Sequence, residues 1–79
     1  MGPRVEEVVV NVEGATKTTL KCGGAVGSGA ASAKLTRVPA GMCTIEVRFG
    51  DDVHRMAFGV EAESKTLACA LTEGVLRCT

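Results

Sequence analysis

Apolar and polar residues alternate along the middle of this 79-residue chain, and this period of two is its most constraining feature. Successive side chains of a β-strand point to opposite faces, so such alternation is typical of a half-buried strand. Two alternating segments, separated by the short loop Gly50-Asp51-Asp52, predict a β-hairpin. Their inward-facing residues are Cys43, Ile45, Val47, Phe49, His54, Met56, Phe58 and Val60.

The same alternation recurs less regularly in the rest of the chain. The further inward-facing residues are Val8, Val10, Val12, Thr18, Leu20, Cys22, Leu67, Cys69 and Leu71. Residues 30–38 have a weaker pattern that would also tolerate a helical turn, and the glycine-rich residues 23–29 are predicted as turns. Turn signals recur about every 8–12 residues, which is typical of a β-sandwich. We therefore predict an all-β fold, a small antiparallel β-sandwich of six to seven short strands.

The chain is long enough for one small domain with a thin core. It contains 2 Phe and no Trp or Tyr, and its formal net charge is zero. That balance gives no electrostatic signal for a nucleic-acid partner. No apolar stretch approaches the roughly 20 residues needed to insert across a bilayer. We expect residues 1–4 to be a cloning remnant or a disordered end, and residues 5–79 to form a single domain.

Short glycine motifs in a fixed order resemble a known family. Val12-Glu13-Gly14-Ala15 opens the second strand, and Val38-Pro39-Ala40-Gly41 leads into Thr44-Ile45-Glu46-Val47. Between them, residues 20–27 read as a strand, a tight glycine turn and a short Val-Gly return. This order resembles the PEGA domain, a small bacterial β-sandwich repeat named for a Pro-Glu-Gly-Ala motif. The likeness covers about residues 8–72.

The chain departs from the PEGA pattern at several positions. Val12 replaces the first proline of the naming motif, and Cys43 stands where an aromatic residue is common. Cys22-Gly23 replaces the usual Asp-Gly, and Ala30-Ala31 replaces the usual Thr-Pro. The resemblance implies an accessory module of the kind attached to bacterial serine/threonine kinases or envelope proteins. It implies no catalytic residues.

Four cysteines are the most informative residues for chemistry, namely Cys22, Cys43, Cys69 and Cys78. Their even number and the thin core favour two disulfides. Buried free thiols are one alternative. A four-cysteine zinc site is another, although the chain lacks the paired Cys-x₂-Cys spacing of structural zinc sites. A redox-active pair is a third alternative, although the chain also lacks the Cys-x₂-Cys motif that is typical of such pairs.

The register of the last hairpin predicts which cysteines pair. If Glu73-Gly74 is a two-residue loop, Cys69 faces Cys78 across the ladder, within the Cα separation that a disulfide spans. Cys22–Cys43 would then be the second bond by elimination, but four cysteines allow three connectivities and the sequence does not choose among them. Glu-Gly is also a poorer loop pair than Asn-Gly, and a three-residue loop would separate the sulfurs.

No other residues converge on a chemical site in the sequence. His54 has no identifiable partner, and the adjacent Asp51 and Asp52 are more typical of a turn than of a carboxylate pair. Residues 23–29 lack the Gly-Lys-Ser/Thr ending of a phosphate-binding loop. None of the three serines has the Gly-x-Ser-x-Gly context of a nucleophile. They are Ser28, Ser32 and Ser64. We predict no catalytic, cofactor-binding or metal-binding residue, and no cofactor.

The lack of a chemical site, together with the PEGA resemblance, implies a non-catalytic interaction module of a larger bacterial protein. It would present loops and edge strands to a protein partner or to a glycan of the cell envelope, with self-association as a further option. The alternative is a small metal- or ligand-binding domain based on the four cysteines. Oxidised cysteines would favour the extracytoplasmic side of a bacterial envelope.

Overall fold

The computed structural model describes residues 4–61 and 63–79, which form eight β-strands. The strands are β1 (Arg4–Glu13), β2 (Lys17–Cys22), β3 (Ala25–Gly29), β4 (Ser32–Pro39), β5 (Gly41–Phe49), β6 (Asp52–Val60), β7 (Glu63–Thr72) and β8 (Val75–Cys78). Within these residues, no helix is present that could cross a membrane. Of the expected N-terminal remnant, residues 1–3 lie outside the described residues, and Arg4 begins β1.

The strands form two four-stranded sheets that pack against each other. One sheet has the order β4-β1-β7-β8, and we call it the β1 sheet. The other has the order β3-β2-β5-β6, and we call it the β5 sheet. A single apolar core with residues from both sheets lies between them. The all-β, two-layer architecture predicted from the sequence is therefore confirmed.

Two details of the predicted architecture are wrong. The structure has eight strands rather than six to seven, because Ala25–Gly29 forms β3 and pairs with β2 instead of forming turns. The sandwich is not antiparallel throughout, because β1 and β7 pair in parallel. Alternation shows which side chains share a face, but it carries no information about the direction of a strand distant in sequence.

The core is built from the alternating residues of the central strands. The fully buried members of this set are Val8, Val10, Val12, Leu20, Cys22, Cys43, Ile45 and Val47, each at most 1 % exposed. Thr18 is a buried polar residue on the same face, and its Oγ1 donates a hydrogen bond to the carbonyl oxygen of Ala30 at 2.9 Å. Its hydroxyl is therefore satisfied inside the sandwich.

A β-bulge near the start of β1 changes which residues face the core. The register of β1 against β7 shifts between Val5 and Glu7, so β1 carries one extra residue there. As a result Val5 and Val8 are both fully buried although they are three positions apart. Strict alternation would place these two residues on opposite faces.

The sandwich is closed on the side where β3 meets β4. A Cβ atom on Gly27 would lie 2.6 Å from the carbonyl oxygen of Lys34, and one on Gly29 would collide with the carbonyl oxygen of Ser32. Only glycine allows the two backbones to approach so closely. The glycines of β3 therefore serve the contact between the two sheets at this edge.

Three hairpins have two-residue loops. Gly23-Gly24 joins β2 to β3, Gly50-Asp51 joins β5 to β6, and Glu73-Gly74 joins β7 to β8. Glu73 has a φ of 52° and Gly74 a φ of 79°, which is typical of a type I′ turn. Glu73 thus adopts a left-handed conformation that disfavours residues with a Cβ atom.

Candidate functional site

The structure contains two disulfides, in the pairs expected from the sequence. Cys22–Cys43 joins β2 to β5 with a Cα–Cα distance of 4.4 Å, and Cys69–Cys78 joins β7 to β8 with a Cα–Cα distance of 4.0 Å. In both pairs the two cysteines lie directly opposite each other in the ladder. These disulfides are compatible with an oxidising location.

The loop of the β7–β8 hairpin explains why Cys69 and Cys78 meet. Residues that flank a two-residue loop form a hydrogen-bonded pair, and the following pairs alternate between non-hydrogen-bonded and hydrogen-bonded. Counted from Thr72 and Val75, the pair Cys69 and Cys78 falls at a non-hydrogen-bonded position, where opposing Cα atoms are closest. In this oxidised state the sulfurs are not thiolates, so they supply no ligand to zinc and no nucleophile.

The remaining candidate residues are dispersed. Asp51 and Asp52 are exposed at the tip of the β5–β6 hairpin. His54 is half-buried, and its ring packs edge-on against Phe49 with a centroid distance of 5.7 Å. Ser28, Ser32 and Ser64 are exposed on β3, β4 and β7. The described residues contain no group of three or more side chains placed to hold a metal ion.

β6 is a free edge, since it is the last strand of its sheet and pairs only with β5 among the described strands. Its nine residues pair with β5 without interruption from Asp52 to Val60, and this segment contains no proline. Native edge strands are usually short or are protected by prolines, bulges or several charges. β6 is not short and contains neither a proline nor a bulge, and Arg55 is its only lysine or arginine. It is therefore a long edge that is open to pairing.

The register of the β5–β6 hairpin shows which backbone groups of β6 are unpaired. Phe49 and Asp52 flank its two-residue loop and form a hydrogen-bonded pair. The even-numbered residues of β6 then bond to β5, and the N–H and C=O groups of the odd-numbered residues point away from it. These free-edge residues are Val53, Arg55, Ala57 and Gly59.

Apolar side chains accompany this edge on its inner side. Because β3 and β4 meet on one side of the sandwich, β6 and β8 are the outermost strands on the other. Met56 and Phe58 of β6 and Leu76 of β8 pack against the core but remain half-buried. We call these three residues the open seam. A strand added to β6 would cover apolar surface along with the backbone groups.

The outer face of the β5 sheet is positively charged. Its exposed cations are Lys17, Lys21, Arg48 and Arg55. Glu46 accepts a hydrogen bond from Arg55 Nε at 2.9 Å, and both side chains are substantially exposed, so this ion pair adds little stability. A shallow depression of about 350 Å³ lies beside Lys21 and Arg55. No buried polar group of the described residues is left without a partner there.

Comparisons with known proteins identify no family for this chain. No protein-family model matches it, and no curated protein or solved structure is significantly similar to it. The PEGA resemblance therefore stays a prediction that depends on the short glycine motifs.

The sequence predicted the strand at residues 54–60 but did not indicate that it forms a free edge. In the sequence, the features that bear on a free edge are the absence of proline and the low charge of Asp52–Val60. That signal becomes informative only once the strand order is known, because a central strand has the same composition.

Proposed function

We propose that this domain is a non-catalytic interaction module of a larger bacterial protein, and that it binds an extended segment of a partner protein along the free edge of β6. The uninterrupted, unprotected edge of β6 carries this proposal. A row of backbone donors and acceptors matches the backbone of another polypeptide, which favours a protein partner over a glycan.

The open seam supplies the specificity that backbone pairing alone lacks. In strand addition, main-chain hydrogen bonds give affinity, and contacts to alternate side chains of the added strand give selectivity. Met56 and Phe58 lie on the inner side of β6, where alternate residues of an added strand would contact them. We therefore expect partner segments to carry an apolar residue at every second position.

Two further observations support the proposed cellular location and parent protein. The motifs around Gly14 and Gly41 resemble PEGA domains, which supports an accessory module attached to a bacterial kinase or envelope protein. The two disulfides support a position on the extracytoplasmic side of the envelope, where such bonds persist.

A display library of random peptides, selected against the oxidised chain, tests the proposal. Ala57→Pro removes an N–H that points away from β5, so it leaves the sheet's own hydrogen bonds intact. We expect selected peptides to alternate apolar and polar residues, and to bind Ala57→Pro about tenfold more weakly or worse. The matched control Ala57→Val keeps the N–H and should bind within a factor of about 2–3.

Backbone NMR locates the binding. The amide signals of Val53, Arg55, Ala57 and Gly59 should shift on peptide addition more than those of the neighbouring even-numbered residues. Peptides that bind Ala57→Pro as tightly as the unmodified chain, or that shift amides of the outer face alone, would contradict the proposal.

A further inference from the structure

We infer that the free edge of β6 binds a second copy of this chain, joining two β5 sheets into one continuous eight-stranded sheet across a two-fold axis. The inference rests on the proposed function, since it names an occupant for the same edge. Two properties of β6 make it complementary to itself in an antiparallel pair, namely its backbone polarity and its apolar residues, and the position of Arg55 selects the register.

The backbone groups match in a register centred on Met56. In that register Val53 lies opposite Gly59 of the second copy, and Arg55 lies opposite Ala57 of the second copy. All four free-edge residues of each copy then meet free-edge residues of the other. Each such pair exchanges two hydrogen bonds, so the contact forms about eight of them.

The neighbouring registers are poorer. A shift by two residues in one direction places Arg55 opposite Arg55, and like charges directly opposite each other destabilise a sheet. A shift by two in the other direction places Ala57 opposite Ala57. Either shift leaves one free-edge residue at the end of each copy's strand without its partner. The register centred on Met56 therefore has the most hydrogen bonds and no opposed arginines.

The inner side of the same register brings apolar side chains together. Met56 meets Met56 of the second copy across the axis, and Phe58 lies opposite His54 of the second copy. Met56 and Phe58 are half-buried in one chain, so the contact removes apolar surface from water on both copies. A two-fold interface needs one patch that is complementary to itself, and this edge meets that requirement.

The size of the contact sets the expected strength. A nine-residue strand is about 30 Å long, and the contact is only one strand wide. Such an interface lies at the small end of specific interfaces, so we expect reversible association with a Kd on the order of 100 μM. In a larger protein, tethering of the domains would raise their effective concentration.

Sedimentation equilibrium of the oxidised chain, up to about 1 mM, measures this association. We expect a concentration-dependent dimer that Ala57→Pro abolishes and Ala57→Val retains. Two charge variants at the same position test the register. Ala57→Glu would face Arg55 of the second copy and should tighten the dimer about 2- to 10-fold, and Ala57→Lys should weaken it comparably.

The outcomes separate this inference from the proposed function. A chain that stays monomeric at 1 mM, while selected peptides still bind it and lose affinity for Ala57→Pro, would overturn the inference and leave the proposed function intact. If Ala57→Glu and Ala57→Lys changed the affinity of the dimer equally and in the same direction, that result would also overturn the inference. Circular dichroism and the number of free thiols establish that each variant is folded and oxidised.

Discussion

Cys22 lies directly opposite Cys43 on the two central strands of the β5 sheet, with their Cα atoms 4.4 Å apart. The bond crosses the middle of the sheet and closes a chain segment with a sequence separation of 21. The bond Cys69–Cys78, in contrast, closes a separation of only 9 at the end of the β1 sheet. The two disulfides therefore differ in how much they restrict the unfolded chain.

Removal of the central disulfide should cost more stability than removal of the terminal one. The chain-entropy model gives a loss of about 3.3 kcal/mol for Cys22→Ala with Cys43→Ala, and about 2.6 kcal/mol for Cys69→Ala with Cys78→Ala. Cys22 and Cys43 are also fully buried, so their loss leaves a cavity as well. Urea unfolding of both double variants measures the difference, and an equal or reversed order would contradict this ranking.

Gly27→Ala should destabilise the domain by about 1–3 kcal/mol. The new Cβ atom would lie 2.6 Å from the carbonyl oxygen of Lys34, so β3 and β4 would have to separate. Gly24→Ala is the matched control, because a Cβ atom there meets nothing within 4 Å. Thermal unfolding of both variants measures the effect. Equal melting temperatures would mean that the close approach of β3 to β4 does not exist in solution.

Glu73→Asn should stabilise the domain by about 0.5–1 kcal/mol. Glu73 has a φ of 52° in a type I′ turn, where asparagine tolerates the left-handed conformation better. Glu73→Val should act in the opposite direction, since a β-branched side chain is least compatible with a positive φ. For a domain of this size, 1 kcal/mol corresponds to about 4–8 °C in Tm. A loss of Tm in Glu73→Asn would exclude the type I′ turn.

Ile45→Ala should cost about 2–5 kcal/mol, since Ile45 is 1 % exposed in the centre of the core. Phe58→Ala should cost less, about 1–3 kcal/mol, because Phe58 is only half-buried in the open seam. Val53→Ala, at an exposed position of the same hairpin, should change the free energy of unfolding by at most about 0.5 kcal/mol. Denaturant unfolding of the three variants tests the face assignment. The largest loss at Val53 would mean that the faces are inverted.

Local features of the sequence predicted the parts of the fold that depend on neighbouring segments. The alternation around Ile45 and Met56 predicted a hairpin and its inward face, and the Glu73-Gly74 loop predicted that Cys69 would face Cys78. These features involve residues close in sequence, for which side-chain parity and turn length fix the register.

The parts that depend on distant segments were not predictable in the same way. The parallel pairing of β1 with β7 brings Val10 opposite Leu67, and no local pattern encodes that contact. The strand at residues 25–29 was obscured because glycine has a low strand propensity, and its glycines lie where β3 closely approaches β4. The free edge of β6 depends on the strand order of the whole sheet, so the candidate site became visible only in the assembled structure.

The central place of β1 in its sheet has a consequence for the order of folding. β1 lies between β4 and β7, so β1 lacks one neighbour until residues 63–72 have left the ribosome. The β5 sheet, by comparison, is complete within residues 17–60 and is assembled mostly through short hairpins. Contacts between residues close in sequence form faster than distant ones. The β5 sheet should therefore form first, and the parallel pairing of β1 with β7 should be the slow step that completes the domain.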